Sequence, residues 1–329
     1  DEDGIRHRLP VERTPEVEEM TANLERINRV LLDSWYDLEL PDGEIISLQE
    51  KMQEGEEKGD EERILDLSRR TLYRVFNDPE LKTGGRLYGG WWQNIKNREV
   101  AYRSKLIVNG KRMSEFDYSN MHPTILYTWE GIPAPKDSYS GVLNRIKPVD
   151  ASQEEELRDE IKKAFNAMLN AEKRLDRPPR GIKLKRFGLK WKDLSQAIRD
   201  YHAPIAHRFE TGIGTRLQRL DSDIAEKVLL HFAKHGIPVL PVHDSFLAHH
   251  GYSELPDVMA RAFKEVIGCS PNVKLEDTKD GSGWRTDASA EPDEDDNMDK
   301  LFDQMIEFLK TGHETRLRTF QNTQSRSRE

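Results

Sequence analysis

Positions 105–126, KLIVNGKRMSEFDYSNMHPTIL, restrict the fold more than any other stretch of the chain. Asn109 and Gly110 both tolerate positive φ, so the extended runs on either side are predicted to fold back as a hairpin. The second run ends at Asp117. Pro123 at a first helical position, the run TILYTW and a stop at Gly131 then predict a short helix. The segment is strand, acid, turn, helix, with a carboxylate at its mouth.

A second acid has a similar setting. IPVLPVHDSFLAHH, positions 237–250, offers two apolar strands with His243 and Asp244 between them. Acids so far apart in sequence meet only if their strands lie side by side in one sheet. Two converging carboxylates would suit magnesium, which takes hard oxygen ligands and needs only one or two from the protein, leaving the rest to water and phosphates. Two such ions about 4 Å apart serve in-line phosphoryl transfer. Read singly, each aspartate is more at home as a turn residue hydrogen-bonding its own backbone.

Between them, Ser152 and Glu155 have capping-box spacing and open a helix running to about Ala171. On it Arg158, Lys162, Asn166 and Asn170 recur every four residues and line one stripe. That stripe suits a nucleoside triphosphate, with Arg158 and Lys162 on phosphates and the asparagines nearer base and sugar. A solvated face is the other reading.

Elsewhere, Thr14 as N-cap and Pro15 in the first turn begin a helix over positions 14–38, and a second is predicted around Arg63 to Phe76 after the charged linker QEKMQEGEEKGDEER. Asp223 to His235 reads as another helix, closed by Gly236. EPDEDDNMD forms an acidic spacer at Glu291 to Asp299, before a helix at Met298 to Lys310 and a polar end.

The formal net charge of −9 argues weakly against indiscriminate adhesion to DNA or membranes, but it averages over the surface. Positions 171–192 carry nine Lys or Arg, Lys183, Lys185 and Arg186 among them, against one Glu and one Asp, with Phe187 and Trp191 interleaved. Such a stretch can track a nucleic-acid strand, or be a solvated loop with an apolar anchor. A single cysteine, Cys269, excludes a disulfide framework and fits a reducing compartment, so the cytoplasm is expected. No apolar run approaches the roughly 20 residues of a membrane span, so no membrane partner is expected. His231 and His235 have zinc-ligand spacing without a third ligand, which leaves them as packing or surface residues. Trp91 and Trp92 could stack on a base or fill a core.

DYSNMHPTIL, RDEIKKAFNAMLN and PVHDSF, in that order, resemble the three polymerase motifs of the family A DNA polymerases and the related single-subunit RNA polymerases. GGRLYGGWWQNI is similar to the segment that precedes the first motif in that family and touches the primer–template minor groove. The resemblance covers roughly positions 84–268. It implies an α+β, helix-rich right hand, with an antiparallel palm sheet and helical fingers and thumb. A thumb-like region would occupy positions 1–83, palm and fingers 84–290, and the spacer, helix and tail 291–329.

By the same resemblance, Asp117 and Asp244, with the backbone of Tyr118, would hold two Mg2+ ions, or Mn2+. Arg158, Lys162, Asn166, Asn170 and His122 would face the nucleoside triphosphate. Arg86, Gln93, Asn94 and His243, with Lys183, Lys185 and Arg186, would contact template and primer. The implied activity is template-directed nucleotidyl transfer, with DNA synthesis slightly favoured. Where family A DNA polymerases carry glutamate this chain has His122, and where they carry the tyrosine of a tyrosine–glycine pair it has Asn170, followed by Ala171. Those departures, with HDSF in place of HDE, leave two alternatives: a single-subunit RNA polymerase or primase-like enzyme, and a degenerate polymerase fold that binds nucleic acid.

Overall fold

The computed structural model describes residues 11–54, 67–95, 102–146, 153–275 and 312–326. Its elements in chain order are helix α1 (Pro15–Leu32), strand β1 (Tyr36–Leu38), α2 (Asp42–Glu54), β2 (Tyr73–Phe76), β3 (Gly84–Tyr88), β4 (Leu106–Val108), β5 (Lys111–Ser119) and α3 (Met121–Trp129). These are followed by α4 (Ser140–Leu143), α5 (Glu154–Asn170), α6 (Trp191–Tyr201), α7 (Ile213–Ala233), β6 (Leu240–Val242), β7 (Ser245–His249), α8 (Leu255–Ile267), β8 (Asn272–Leu275) and α9 (His313–Arg326). Helices and antiparallel strands are thus combined in an α+β arrangement.

β5 organises the main sheet. The strand order is β1-β4-β5-β7-β6, with β8 also paired to β5. The hairpin from β4 to β5 turns at Asn109 and Gly110, with φ of 50° and 76°, the left-handed backbone that the turn needs. β7 pairs with β5 from Met113↔His249 to Asp117↔Ser245, and β8 pairs with its end from Phe116↔Leu275 to Ser119↔Asn272. Among the described residues every strand pair is antiparallel.

Alternation along β5 decides what each face carries. Tyr118 points into the core, its ring edge-on to Phe246 at 6.2 Å and tilted against Phe263 at 5.5 Å, and its hydroxyl donates to the Met259 carbonyl at 2.7 Å. Asp117, the residue before it, therefore faces the opposite side. Asn120 then takes a left-handed φ of 56° and turns the chain into α3, which ends before Gly131 at φ 69°.

α1 is capped as expected, with the Val17 amide donating to Thr14 Oγ1 at 3.3 Å, but it ends at Leu32, and Tyr36–Leu38 within the predicted span is strand β1, paired with β4. The helix predicted around Arg63 to Phe76 is corrected: 63–66 lie outside the described residues, and Tyr73–Phe76 is strand β2, paired with β3. Two side chains specify that outcome. Asn28 on α1 exchanges two hydrogen bonds with the backbone of Leu72, at 2.9 and 2.7 Å, holding it extended. Arg74 donates from its two Nη atoms to Glu226 and Ser222 on α7 and from Nε to the Gly85 carbonyl. Aromatic and β-branched residues in Tyr-Arg-Val-Phe also suit a strand better than a helix.

α7 begins at Ile213, earlier than the predicted Asp223, because Leu217 and Asp221 are already buried in its first turns. Ser152, most of the charged linker, the acidic spacer and the helix predicted at Met298 to Lys310 lie outside the described residues. The polar end instead contributes to α9, where Arg316 donates from Nε to the buried Asp37 at 2.8 Å. Trp91 and Trp92 are fully buried, and Trp92 Nε1 donates to the Pro241 carbonyl at 3.1 Å, so both belong to the core. Among the described residues no helix is long and apolar enough to cross a membrane.

His202, fully buried, ties α6 to the loop before α4. Its Nε2 lies 2.8 Å from the Ser138 carbonyl and its Nδ1 lies 3.1 Å from the Tyr127 hydroxyl, an arrangement that suits a neutral ring donating to the first and accepting from the second. Burial, with Arg145 nearby, pushes its imidazole down to about 4 against the pull of the Ser138 hydrogen bond. The unfolded chain binds this proton more readily than the folded one. The stability His202 contributes is therefore fully present above about pH 6.5 and is lost as pH falls from there to about 4. The melting temperature of the wild type should drop more steeply across that window than that of His202→Gln; parallel profiles would contradict the assignment.

Candidate active site

The face of the sheet opposite the Tyr118 core opens into a cleft of about 540 Å³. Asp117 enters it from the end of β5, and Asp244 from the tight turn between β6 and β7. The sheet register makes them neighbours, because Asp117 pairs with Ser245 and the Tyr118 amide donates to the Asp244 carbonyl at 3.3 Å. His243 in the same turn takes a left-handed φ of 57°. Left-handed backbone is costly for a residue with a Cβ and is tolerated where the surroundings over-determine it. Here Ser245 locks the turn, its hydroxyl lying 2.5 Å from the Glu115 carboxylate and 3.0 Å from the Val242 carbonyl, within reach of both acceptors.

The opposite wall is α5. Arg158, Lys162, Asn166 and Asn170 all line the cleft, and the helix's other face is buried through Leu157, Ile161, Ala164, Phe165 and Met168. This amphipathic division aims the polar stripe across at the two aspartates. Gly214 at the start of α7 lets Asn170 pack closely, since a Cβ there would lie 2.2 Å from Asn170 Oδ1.

Several cleft residues carry no sequence motif of their own. Asp137 accepts from the Tyr139 and Ser140 amides at 2.8 and 3.1 Å and from the Ser140 hydroxyl at 2.8 Å, fixing the start of α4. It also pairs with Arg158 at 3.0 Å. Burial works to raise its carboxyl, but these donors and Arg158 outweigh it and hold it at about 2. Arg158 in turn lies over the Tyr139 ring, 5.3 Å from its centroid. The only local signal of this arrangement was the sequence Asp-Ser-Tyr-Ser, an aspartate placed to cap the next turn. Gln218, Lys136, Asn272 and Lys274 complete the lining.

Behind the aspartates, Arg86 of β3 reaches Asp221 of α7 with Nε at 2.9 Å and Nη2 at 2.8 Å. Burial raises the Asp221 carboxyl, Arg86 opposes that and Asp244 adds to it, leaving it at about 6. His122 is pushed down to about 4 by desolvation and by Arg86, against Asp244, so it is a neutral imidazole at neutral pH. His243 is lowered for the same first two reasons.

Other predicted contact residues lie elsewhere. Gln93 donates its amide to the Leu87 and Pro241 carbonyls, at 3.0 and 3.1 Å, and neither it nor Asn94 lines the cleft. Lys183, Lys185 and Arg186 are exposed on a loop beyond α5, also outside the cleft lining, where Arg186 pairs with Glu156. The aromatics interleaved there turn inward. Trp191 is buried and donates to the Leu175 carbonyl at 2.6 Å, and Phe187 packs against the core.

Among the described residues no three His, Cys, Asp or Glu side chains cluster as a metal-binding group. The cleft's donor set is instead two neighbouring carboxylates at strand ends, facing cations suited to phosphate. That set fits a hard cation sharing substrate oxygens.

No family model matches the chain, and no curated protein matches it. Among solved structures it is similar to the "POL domain of Pol1 from M. smegmatis complex with DNA primer-template and dNTP", with a TM-score of 0.38 and 14% identity over 60% of this chain and 46% of that one. The chain thus spans less than half of that neighbour's length. At that similarity the likeness assigns neither family nor function.

The Arg86–Asp221 pair makes a stability prediction. Arg86→Ala strands a buried carboxylate and should cost about 3 kcal/mol, part of which Asp221→Asn added to it should return. Denaturant unfolding of both variants checks this; equal losses would show that the pair is not coupled.

Proposed function

We infer that this chain is a template-directed nucleic-acid polymerase. The observation that supports the reading best is the convergence of Asp117 and Asp244, from neighbouring strand ends, opposite the Arg158–Lys162 stripe of α5. A pair of carboxylates facing a pair of cations across a cleft matches the charge distribution of a metal-bound triphosphate. The main sheet would be the palm, α5 part of the fingers and the first 83 residues a thumb-like region, with the tail from 291 onward outside the core.

Asp117 and Asp244, with the backbone of Tyr118, would hold two Mg2+ or Mn2+ ions, which when bound lower the pKa of an attacking 3′-hydroxyl and stabilise the leaving oxygen. Arg158 and Lys162 orient the triphosphate and offset the charge that builds on its β- and γ-phosphates. Arg158 is held ready by Asp137 and Tyr139, so little ordering remains to be done on binding. Asn166 and Asn170 extend the stripe toward base and sugar, and His243 and Arg86 stand beside the primer end. Gln93, Asn94, Lys183, Lys185 and Arg186 lie off the cleft and would meet nucleic acid only further along its path.

Deoxyribonucleotides are the favoured substrate. One observation favours ribonucleotides as a second reading: His122 and Asn170, at the positions where the DNA polymerases carry glutamate and tyrosine, both line the cleft. With histidine and asparagine at those positions, no glutamate–tyrosine pair stands there to exclude a 2′-hydroxyl.

Primer extension with each nucleotide class, with and without primer, tests these readings. The wild type should incorporate nucleotides in Mg2+, and Asp117→Asn or Asp244→Asn should each reduce the rate by about a thousandfold or more, an effect on the scale of losing a metal's contribution to the barrier. Unchanged rates in both variants would overturn the catalytic assignment. A wild type that incorporates nothing but retards DNA or RNA in a gel would favour the binding fold.

A further inference from the structure

The turn that carries Asp244 has only two residues, since Val242 and Ser245 pair across it. His243, the first of the two, takes the positive φ that glycine adopts more readily than any residue with a Cβ, so more than local preference must hold it. A metal ligand has to be kept within about 0.5 Å of its productive place. Asp244 hangs from this strained link, and whatever stabilises the turn therefore bears on the site.

Glu115, across the sheet, meets that need. It precedes Asp117 by two residues on β5 and so leaves the strand on the same side. Its register partner is Leu247, which makes Ser245 its diagonal neighbour on β7, within reach of a long side chain. The reach is used, because a Glu115 carboxylate oxygen lies 2.5 Å from the Ser245 hydroxyl. That hydroxyl has one proton to give, and a carboxylate at 2.5 Å is a stronger acceptor than the Val242 carbonyl at 3.0 Å. Arg103, in the short turn Tyr102–Lys105 before β4, donates from Nη1 to the same carboxylate oxygen at 2.5 Å and so fixes it in its turn. Both charged side chains are mostly buried, where such bonds are strongest. Arg103, Glu115 and Ser245 do not line the cleft, so they act on the turn and not on substrate.

We propose that Arg103, Glu115 and Ser245 are positioning residues, a brace that holds the two-residue turn in its left-handed form and so keeps the Asp244 carboxylate where it can share divalent cations with Asp117. This rests on the polymerase reading above. The brace is anchored on β5, the strand that also delivers Asp117, so both carboxylates are referred to one rigid element. Without the Ser245 hydroxyl or its acceptor, His243 can relax toward ordinary backbone and carry Asp244 out of register with its partner. The brace thus sets how tightly the ions are held more than how fast the chemistry runs once they are in place.

Mn2+ is the probe, with free Mn2+ counted by electron paramagnetic resonance as the full chain is titrated. Ser245→Ala and Glu115→Ala should each weaken binding about tenfold, the low end of what losing a group that orients a metal ligand costs. The double variant should bind no more weakly than either, because both substitutions cut one link. Ser245→Thr, which keeps the hydroxyl, should stay close to wild type, and that recovery separates positioning from loss of the fold. In primer extension the two alanine variants should need about tenfold more Mg2+, while the rate at saturating Mg2+ stays within about twofold of wild type. Unchanged Mn2+ affinity in both alanine variants, with Asp244→Asn still weakening it, would sink the brace and leave the polymerase reading standing. Brace-dependent Mn2+ binding by a wild type that extends no primer would sink the polymerase reading and keep the brace, and a wild type that holds no Mn2+ would end both.

Discussion

The pairing of β5 with three neighbours is the constraint on which the rest depends. A nine-residue strand takes β4 at its start, β7 along its middle and β8 at its end. Because side chains alternate, one register fixes both what is buried and what is presented. Tyr118 locked under α8 obliges Asp117 to face the cleft, and Asp117↔Ser245 obliges Asp244 to stand beside it. A slip of one residue would bury the carboxylate and expose the tyrosine.

Several of the cleft charges stand beside a partner of opposite sign. Asp137 steadies Arg158, Asp221 steadies Arg86, and Lys274 neighbours Asp117. Each pair lowers the cost of gathering like charges in a small space before any ligand is present. Each also leaves a charged group with an alternative partner to adopt when phosphate or a cation enters.

Much of this was legible in the sequence wherever the signal was local. Asn109-Gly110 specified the hairpin, Pro123 marked the first turn of α3, which begins two residues earlier at Met121, Gly131 marked its end, and the four-residue spacing from Arg158 to Asn170 put one stripe on one face. What could not be read was set by distant partners. The strand Tyr73–Phe76 depends on Asn28 of α1 finding Leu72 and on Arg74 finding α7. Gln93 is withdrawn from the cleft by two backbone carbonyls, one of them on β6. Trp191 could be read as part of a strand-tracking stretch or as an apolar anchor, because its acceptor, the Leu175 carbonyl, leaves no trace in the pattern of charges around it. Asp221 carries no signal in the sequence, and only the folded chain pairs it with Arg86.

The central claim is that two carboxylates from separate strands serve one pair of divalent ions. Electron paramagnetic resonance of Mn2+ bound to the full chain, with a non-hydrolysable nucleoside triphosphate, tests it most directly. Two ions about 4 Å apart in one site should give a spin-coupled signal that disappears when either Asp117 or Asp244 is replaced by asparagine. Isolated, uncoupled Mn2+ unaffected by both substitutions would contradict the account.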